Sequence, residues 1–221
     1  HGVDRRVFDP RAHEAGFARR KFSIPDGQIV LGYLASFTTG GVMDLDFVFS
    51  SLRGILQKHA EASFLVIGGG PLWPVFQALA ARDALARTYF TGWLAQEDVP
   101  RYLAAVDIGL IFMRENLANK YKTSLKVAEY LSMHKPVLGH LVGETQDTFG
   151  RCCVLTGVEQ DSFTRKLEQA IRQRLTLRWE NVDVFFDDHY SWEKSTSQIR
   201  KAIYEIHECP SAESGIPLKT E

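Results

Sequence analysis

The sequence is poor in cysteine: three in 221 residues, two of them the neighbours Cys152 and Cys153 and the third Cys209. Adjacent cysteines rarely bridge and no metal-ligand spacing is present, so a disulfide framework and a zinc site are both excluded. The expectation is reduced thiols in a cytoplasmic protein. The seven histidines are no closer to a metal pattern. No apolar run reaches the roughly 18 residues that would suggest a membrane-spanning helix. Nor does the start carry the basic then apolar order of a signal peptide. Charge of either sign is not in excess: 26 Lys and Arg face 27 Asp and Glu, a formal net charge of -1. That balance excludes a global electrostatic footprint for nucleic acid or an anionic membrane surface, so any bound anion must be caught locally. Neither GxGxxG nor GxxxxGK[ST] occurs, which leaves an NAD fingerprint and a P-loop unsupported.

What is present is the composition of an ordinary globular domain, with 45% hydrophobic and 24% charged residues and 14 Phe. The length suits one domain, assigned to residues 1–208, with 209–221 as a polar, flexible tail broken by Pro and Gly. Residues 1–10 (HGVDRRVFDP) read as a connection arriving from a preceding domain.

Apolar, β-prone runs at 29–37, 63–67, 88–90, 108–113, 136–139 and 153–155 predict strands. Between them, three- and four-residue apolar spacing predicts helices over 44–59, 75–85, 96–104 and 123–134, and two more close the chain over 163–177 and 191–206. Strands that are apolar throughout and separated by helices predict an α/β fold: a doubly wound parallel sheet, Rossmann-like, covered on both faces. Trp192 reads as the anchor of the last helix.

In such a sheet, ligands bind beyond the carboxyl ends of the strands. The loops there are 36–41, 68–71, 91–94, 114–122 and 139–144. Glycines at Gly40, Gly41, Gly69 and Gly70 would let a ligand approach the backbone closely, although glycine after a strand is as often a turn device. Thr123 and Ser124 are natural N-cap residues, so the amides of Ser124, Leu125 and Lys126 should form an anion site at the helix start. Lys122 and Lys126 add positive charge where a helix alone prefers negative side chains. Lys126 and Glu129 share a helix face. That spacing fits an exposed ion pair as well as a cation on a diphosphate with a carboxylate on the adjoining ribose.

Six motifs in order carry a resemblance: HGVDRRVFDP, IVLGYLASF, FLVIGGGP, TYFTGWLAQEDVPRYLAAVDIGLIF, TSLKVAEYLSMHKPVLG and HYSWEKSTSQIRKAIYEI. From His1 to Ile206 the chain resembles the C-terminal, donor-binding domain of retaining GT-B glycosyltransferases of group 1, with residues 1–10 matching the hinge. The resemblance implies that Glu129 binds ribose, that Thr123, Ser124, Leu125 and Lys126 meet the diphosphate and sugar, and that Gly69 and Gly70 border the nucleotide. It places the backbone of Trp93 and Leu94 at the base. It makes Lys126 and Glu129 the catalytic pair and implies no metal and no cofactor, the nucleotide-diphosphate sugar being a co-substrate. The acceptor would be held by an N-terminal domain outside this chain, through which peripheral membrane association would also arise, so the chain alone is expected to be inactive.

The departures lie at one end of the site. The Arg and Lys that relatives carry after the first strand correspond to Ser36 and Gly41, the acidic residue eight before Glu129 is Tyr121, and the Pro of the SPLK motif is Leu125. Lys120, Lys122 and Arg114 are the cations left to substitute. Two functions follow: a hexosyltransferase-like donor domain in carbohydrate biosynthesis, or a non-catalytic nucleotide-sugar-binding module.

Overall fold

The computed structural model describes residues 2–83, 85–175, 179–190 and 192–208. Helix α1 (Gly16–Lys21) precedes strand β1 (Ile29–Leu34), and α2 (Thr39–Lys58), β2 (Ala62–Ile67), α3 (Trp73–Arg82) and β3 (Thr88–Phe90) follow. Helix α4 (Val99–Leu103) leads to β4 (Ile108–Phe112), α5 (Leu117–Lys120), α6 (Leu125–Ser132), β5 (Val137–His140), α7 (Glu144–Phe149) and β6 (Cys153–Leu155). Helices α8 (Gln160–Gln173), α9 (Trp179–His189) and α10 (Trp192–Glu208) complete the described chain.

The six strands form one sheet in the order β3-β2-β1-β4-β5-β6, with every pairing parallel. The chain winds outward from β1 to β3, returns across β1 to β4, and winds outward again, so the order reverses between β1 and β4. Alternation along each strand sends side chains to two separate cores. Val30, Leu34, Leu65, Ile67 and Ile111 join Ala18 of α1, Leu103 of α4, Leu131 of α6 and Phe186 of α9 on one face. Leu31, Tyr33, Phe64, Val66 and Leu110 join Phe49 of α2, Phe76 of α3 and Phe163 of α8 on the other. Both faces are covered, so the sheet is doubly wound, as the uninterrupted apolar strands require.

Several boundaries differ from the sequence reading. Strand β1 stops at Leu34 rather than at residue 37, and α2 begins at Thr39 rather than 44. Gly40 and Gly41 therefore lie in the first helical turn and not in an open loop. The apolar stripe that reveals this helix begins only at Leu45, and the first turn needs no intrahelical amide partners, so glycine is tolerated there. The predicted helix over 96–104 is a 3-10 turn, Gln96–Asp98, followed by α4 with Pro100 near its start, where the missing N–H costs nothing. Helix α3 starts at Trp73 and ends at Arg82, and β4 ends at Phe112. Helix α6 covers a shorter span than 123–134, and β5 is displaced by one residue from 136–139. Helix α8 starts at Gln160 and stops before Arg174, which adopts a left-handed φ of 46°. Helices α1, α5 and α7 are too short to show a repeating apolar stripe, whereas α9 carries one, Trp179, Val182, Phe185 and Phe186, that the sequence reading did not include. The predicted last helix is α10; Ser191 and the predicted tail 209–221 lie outside the described residues.

Tyr130 fixes α6 against the sheet. Strands β1 and β4 stay paired only through Leu31↔Ile108 and Gly32↔Gly109. Beyond that pair the backbone of β1 needs another partner. The fully buried Tyr130 hydroxyl supplies it, accepting from Leu34 N–H at 2.7 Å and donating to Gly32 O at 3.0 Å. Its ring lies where a Cβ on Gly109 would stand, 2.6 Å away, so only glycine lets α6 settle this close to β4.

Candidate functional site

At the carboxyl end of β1, where the strand order reverses, the strands part over a cleft of about 600 Å³. Ala35 and Ser36 after β1, Gly68 and Gly69 after β2, Trp93 and Leu94 after β3, and Lys122 to Lys126 with Glu129 around α6 line it. Of the sequence-predicted residues, Ser36, Gly69, Trp93, Leu94, Lys122, Thr123, Ser124, Leu125, Lys126 and Glu129 thus meet in one place. Gly70 does not line it. Gly70 packs on the chain after β1 instead: a Cβ there would stand 2.7 Å from Phe37 O. Gly69 has a similar packing reason, since its Cβ would meet Trp93 N at 2.6 Å, yet it also faces the cleft. Ala95, Gln96 and Val99 line the cleft and were not anticipated. The turn that delivers them, Gln96–Asp98, was read as plain helix.

The start of α6 departs from the expected anion cradle in one respect. Ser124 is its N-cap, but its side chain makes no capping bond. Its N–H donates to Thr145 Oγ1 at 2.9 Å, and that hydroxyl donates to Lys122 O at 2.7 Å. Ser124 N–H is therefore engaged, because the fully buried Thr145 of α7 reaches it from behind. Leu125 and Lys126 are left to present helix-start amides to the cleft. The loop is held from the same side at Gly143, whose φ of +53° and closeness to Lys120 O, 2.0 Å from a Cβ, admit only glycine.

Lys126 and Glu129 are not an exposed ion pair. Both face the cleft, with Lys126 Nζ 5.4 Å from the centroid of the Tyr33 ring. Burial, aided by Lys122, pushes the Lys126 pKa down to about 8, against the pull of Asp44 and Glu129. Burial pushes the Glu129 pKa up to about 7, opposed by Lys126. Two charges are thus held under-solvated at the same wall, a state that a compensating ligand would relieve.

Of the cations left to substitute at the phosphate position, only Lys122 lines the cleft. Arg114 Nε lies 3.7 Å from Asp44 Oδ1, and Lys120 Nζ sits 5.7 Å from the ring of Tyr121, itself 72% exposed. A second cleft of about 380 Å³ adjoins the first and shares Gln96, Leu125 and Glu129 with it. Val3, Val7 and Phe8 of the opening segment and Trp192 of α10 form its other side. Trp192 is 47% exposed there and is not the buried anchor expected. Phe8 O accepts from Ser132 Oγ at 2.9 Å, which ties the opening segment to the far end of α6.

Among the described residues no group of three or more His, Cys, Asp or Glu could hold a metal ion, and no helix is long and apolar enough to cross a membrane. No curated protein matches the sequence. Solved structures do. A glycosyltransferase from Rickettsia africae ESF-5 matches with a TM-score of 0.77 at 15% identity, over 95% of this chain and 57% of that one. Anabaena HepE in complex with UDP and glucose matches with a TM-score of 0.73 at 16% identity, over 92% and 55%. The C-terminal domain of a group 1 glycosyl transferase from Francisella tularensis, LpcC, matches with a TM-score of 0.59 at 19% identity, over 84% of this chain and 95% of that one. The chain thus spans little more than half the length of the first two. These likenesses show the fold, the C-terminal half of GT-B. The family model for glycosyl transferases group 1 matches residues 28–175, most of the chain, and by that match the chain belongs to the glycosyl transferases group 1.

Proposed function

We propose that the chain is the donor domain of a hexosyltransferase-like enzyme, binding a nucleotide-diphosphate sugar in the switch-point cleft. The observation that carries this reading is the convergence of Lys126, Glu129, the α6 amides and the Gly69 turn on one wall-to-wall space. Lys122, Lys126 and the helix start hold the diphosphate, whose negative charge grows as the sugar departs, without a metal. Glu129, one turn deeper, accepts hydrogen bonds from ribose hydroxyls, and the backbone of Trp93 and Leu94 faces the base. Thr123, Ser124 and Leu125 border the sugar and phosphates. The acceptor is bound by an N-terminal domain, the transfer retains anomeric configuration, and the chain alone does not turn over. Anabaena HepE, solved with UDP and glucose, supports this ligand class.

Thermal-shift screening with UDP-, GDP-, ADP- and dTDP-sugars tests the binding. A ligand at 100 times its dissociation constant adds about 2.7 kcal/mol of stability. Glu129→Ala should abolish the shift while leaving the unliganded melt cooperative, and a shift that persists removes Glu129 from the site. Ser36 favours a second reading, since a neutral, exposed side chain stands where relatives carry a cation. Under that reading the domain binds donor without turnover. Donor consumption by the full-length protein with acceptor present decides for the enzyme.

A further inference from the structure

Tryptophan is on average highly buried, and two of the four here follow that habit. Trp73 packs edge-on against Phe37 and Phe90, with ring centroids 5.2 and 5.4 Å away, and Trp179 stacks on His134 at 5.0 Å. Trp93 is 80% exposed, and among the described residues no ring or cation lies over its indole. Its backbone is nevertheless fixed. Gly68 and Gly92 bridge the loops after β2 and β3, and Thr91 Oγ1 accepts from Gly68 N–H at 3.0 Å and donates to Gly92 O at 2.9 Å. The Trp93 backbone lies so close to Gly69 that a Cβ there would stand 2.6 Å from Trp93 N. A solvated indole on a held backbone thus lines the donor cleft. Leu94, Ala95, Gln96 and Val99 continue the same wall, and Gln96 alone of these four carries a hydrogen-bonding side chain.

We propose that the Trp93 indole is a stacking platform for the nucleobase of the donor, and that it makes this domain select purine over pyrimidine nucleoside diphosphates. This rests on the donor-binding reading above, which puts the backbone of Trp93 at the base and gives its side chain no part. Every base has a π-face, so stacking admits them all, and preference among them follows stacking strength. A bicyclic purine overlaps the two fused rings of indole more fully than a monocyclic pyrimidine does. A site built from hydrogen-bonding side chains separates bases by their donor and acceptor patterns. With Gln96 the one such side chain on this stretch of wall, contact area is the larger discriminant. The held backbone also limits the freedom that the indole gives up on binding. Because the side chain already stands in water, removing it takes away ligand contact and leaves the fold intact.

The experiment is isothermal titration of the 221-residue chain with ADP, GDP, UDP and dTDP, and with inorganic pyrophosphate as the base-free control. It compares wild type, Trp93→Ala and Trp93→Phe, each first checked for a cooperative melt. Wild type should bind the better purine diphosphate at least about fivefold tighter than either pyrimidine one. Trp93→Ala should weaken that purine ligand about tenfold or more, bring the purine-to-pyrimidine ratio near one, and leave pyrophosphate unchanged. Trp93→Phe, which keeps an aromatic face, should restore most of the loss. The bound purine should also quench tryptophan emission in wild type and far less in Trp93→Phe, which still binds; a residue that only shapes the loop gives no such signature. Should Trp93→Ala lack a cooperative melt, the quench in wild type against Trp93→Phe decides. A wild type that prefers UDP or dTDP, a ratio that Trp93→Ala leaves unchanged, or a loss as large for pyrophosphate overturns the proposal and leaves the donor reading standing. Absence of binding of every nucleoside diphosphate to wild type overturns both.

Discussion

Replacing Tyr130 with Phe removes a single oxygen from the fully buried interface between α6 and the sheet. That oxygen serves two backbone groups, Leu34 N–H and Gly32 O, at the point where β1 loses β4 as a partner. Both strand residues are buried, so water does not take its place. A buried donor or acceptor left unpaired costs about 1–3 kcal/mol, and two of them place the expected loss at about 2–6 kcal/mol. Against a total stability of about 5–15 kcal/mol, that is a large fraction. In urea the midpoint should fall with the slope unchanged, and the melting temperature should drop by about 4–24 °C, taking about 2–4 °C per kcal/mol for a domain of this size. The ring remains, so α6 keeps its seat on Gly109 and nucleotide-sugar affinity should change far less than stability. A loss below about 1 kcal/mol would refute the view that this hydroxyl completes the pairing of β1.

The buried charges of the cleft give two further expectations. Glu129 is raised by burial from 4.5 to about 7, so folding suffers no penalty below pH 4.5, loses stability as pH climbs through 4.5 to 7, and carries the full cost, about 3 kcal/mol at most, above 7. Glu129→Gln should abolish that decline in urea melts taken across the range; parallel profiles for the two proteins would count against it. Lys126, lowered to about 8, is about half neutral at pH 8, so diphosphate binding there should take up about half a proton. Binding enthalpies measured in HEPES and in Tris should differ accordingly, and Lys126→Met should erase the difference. Enthalpies that do not depend on the buffer would mean that Lys126 stays away from the phosphates.

Much of the architecture is legible in one dimension because its causes are local. Uninterrupted apolar runs announce strands buried on both faces, the stripe from Leu45 to Leu56 announces α2, and the strand-to-helix rhythm announces the parallel sheet. Right-handed crossovers make such a sheet doubly wound, which names the end where a ligand binds, while the strand order β3-β2-β1-β4-β5-β6 was supplied by the tertiary structure. Short helices such as α5 and α7 escaped because four to six residues hold little more than one turn, too few for an apolar period to repeat. The fate of individual groups depended on contacts between residues far apart in sequence. Ser124 N–H was an open donor until Thr145, 21 residues on, was brought behind it. Gly70 looked like a ligand loop until the chain after β1 packed against it. Lys126 and Glu129 could have been an exposed pair at helical spacing. Only the seating of α6 on Gly109 and β1 turned them into the cleft and withdrew them from water. Local sequence specifies which backbone segments form and which faces are apolar; solvation and pairing of polar groups depend on what the folded chain places beside them, and that is decided in three dimensions.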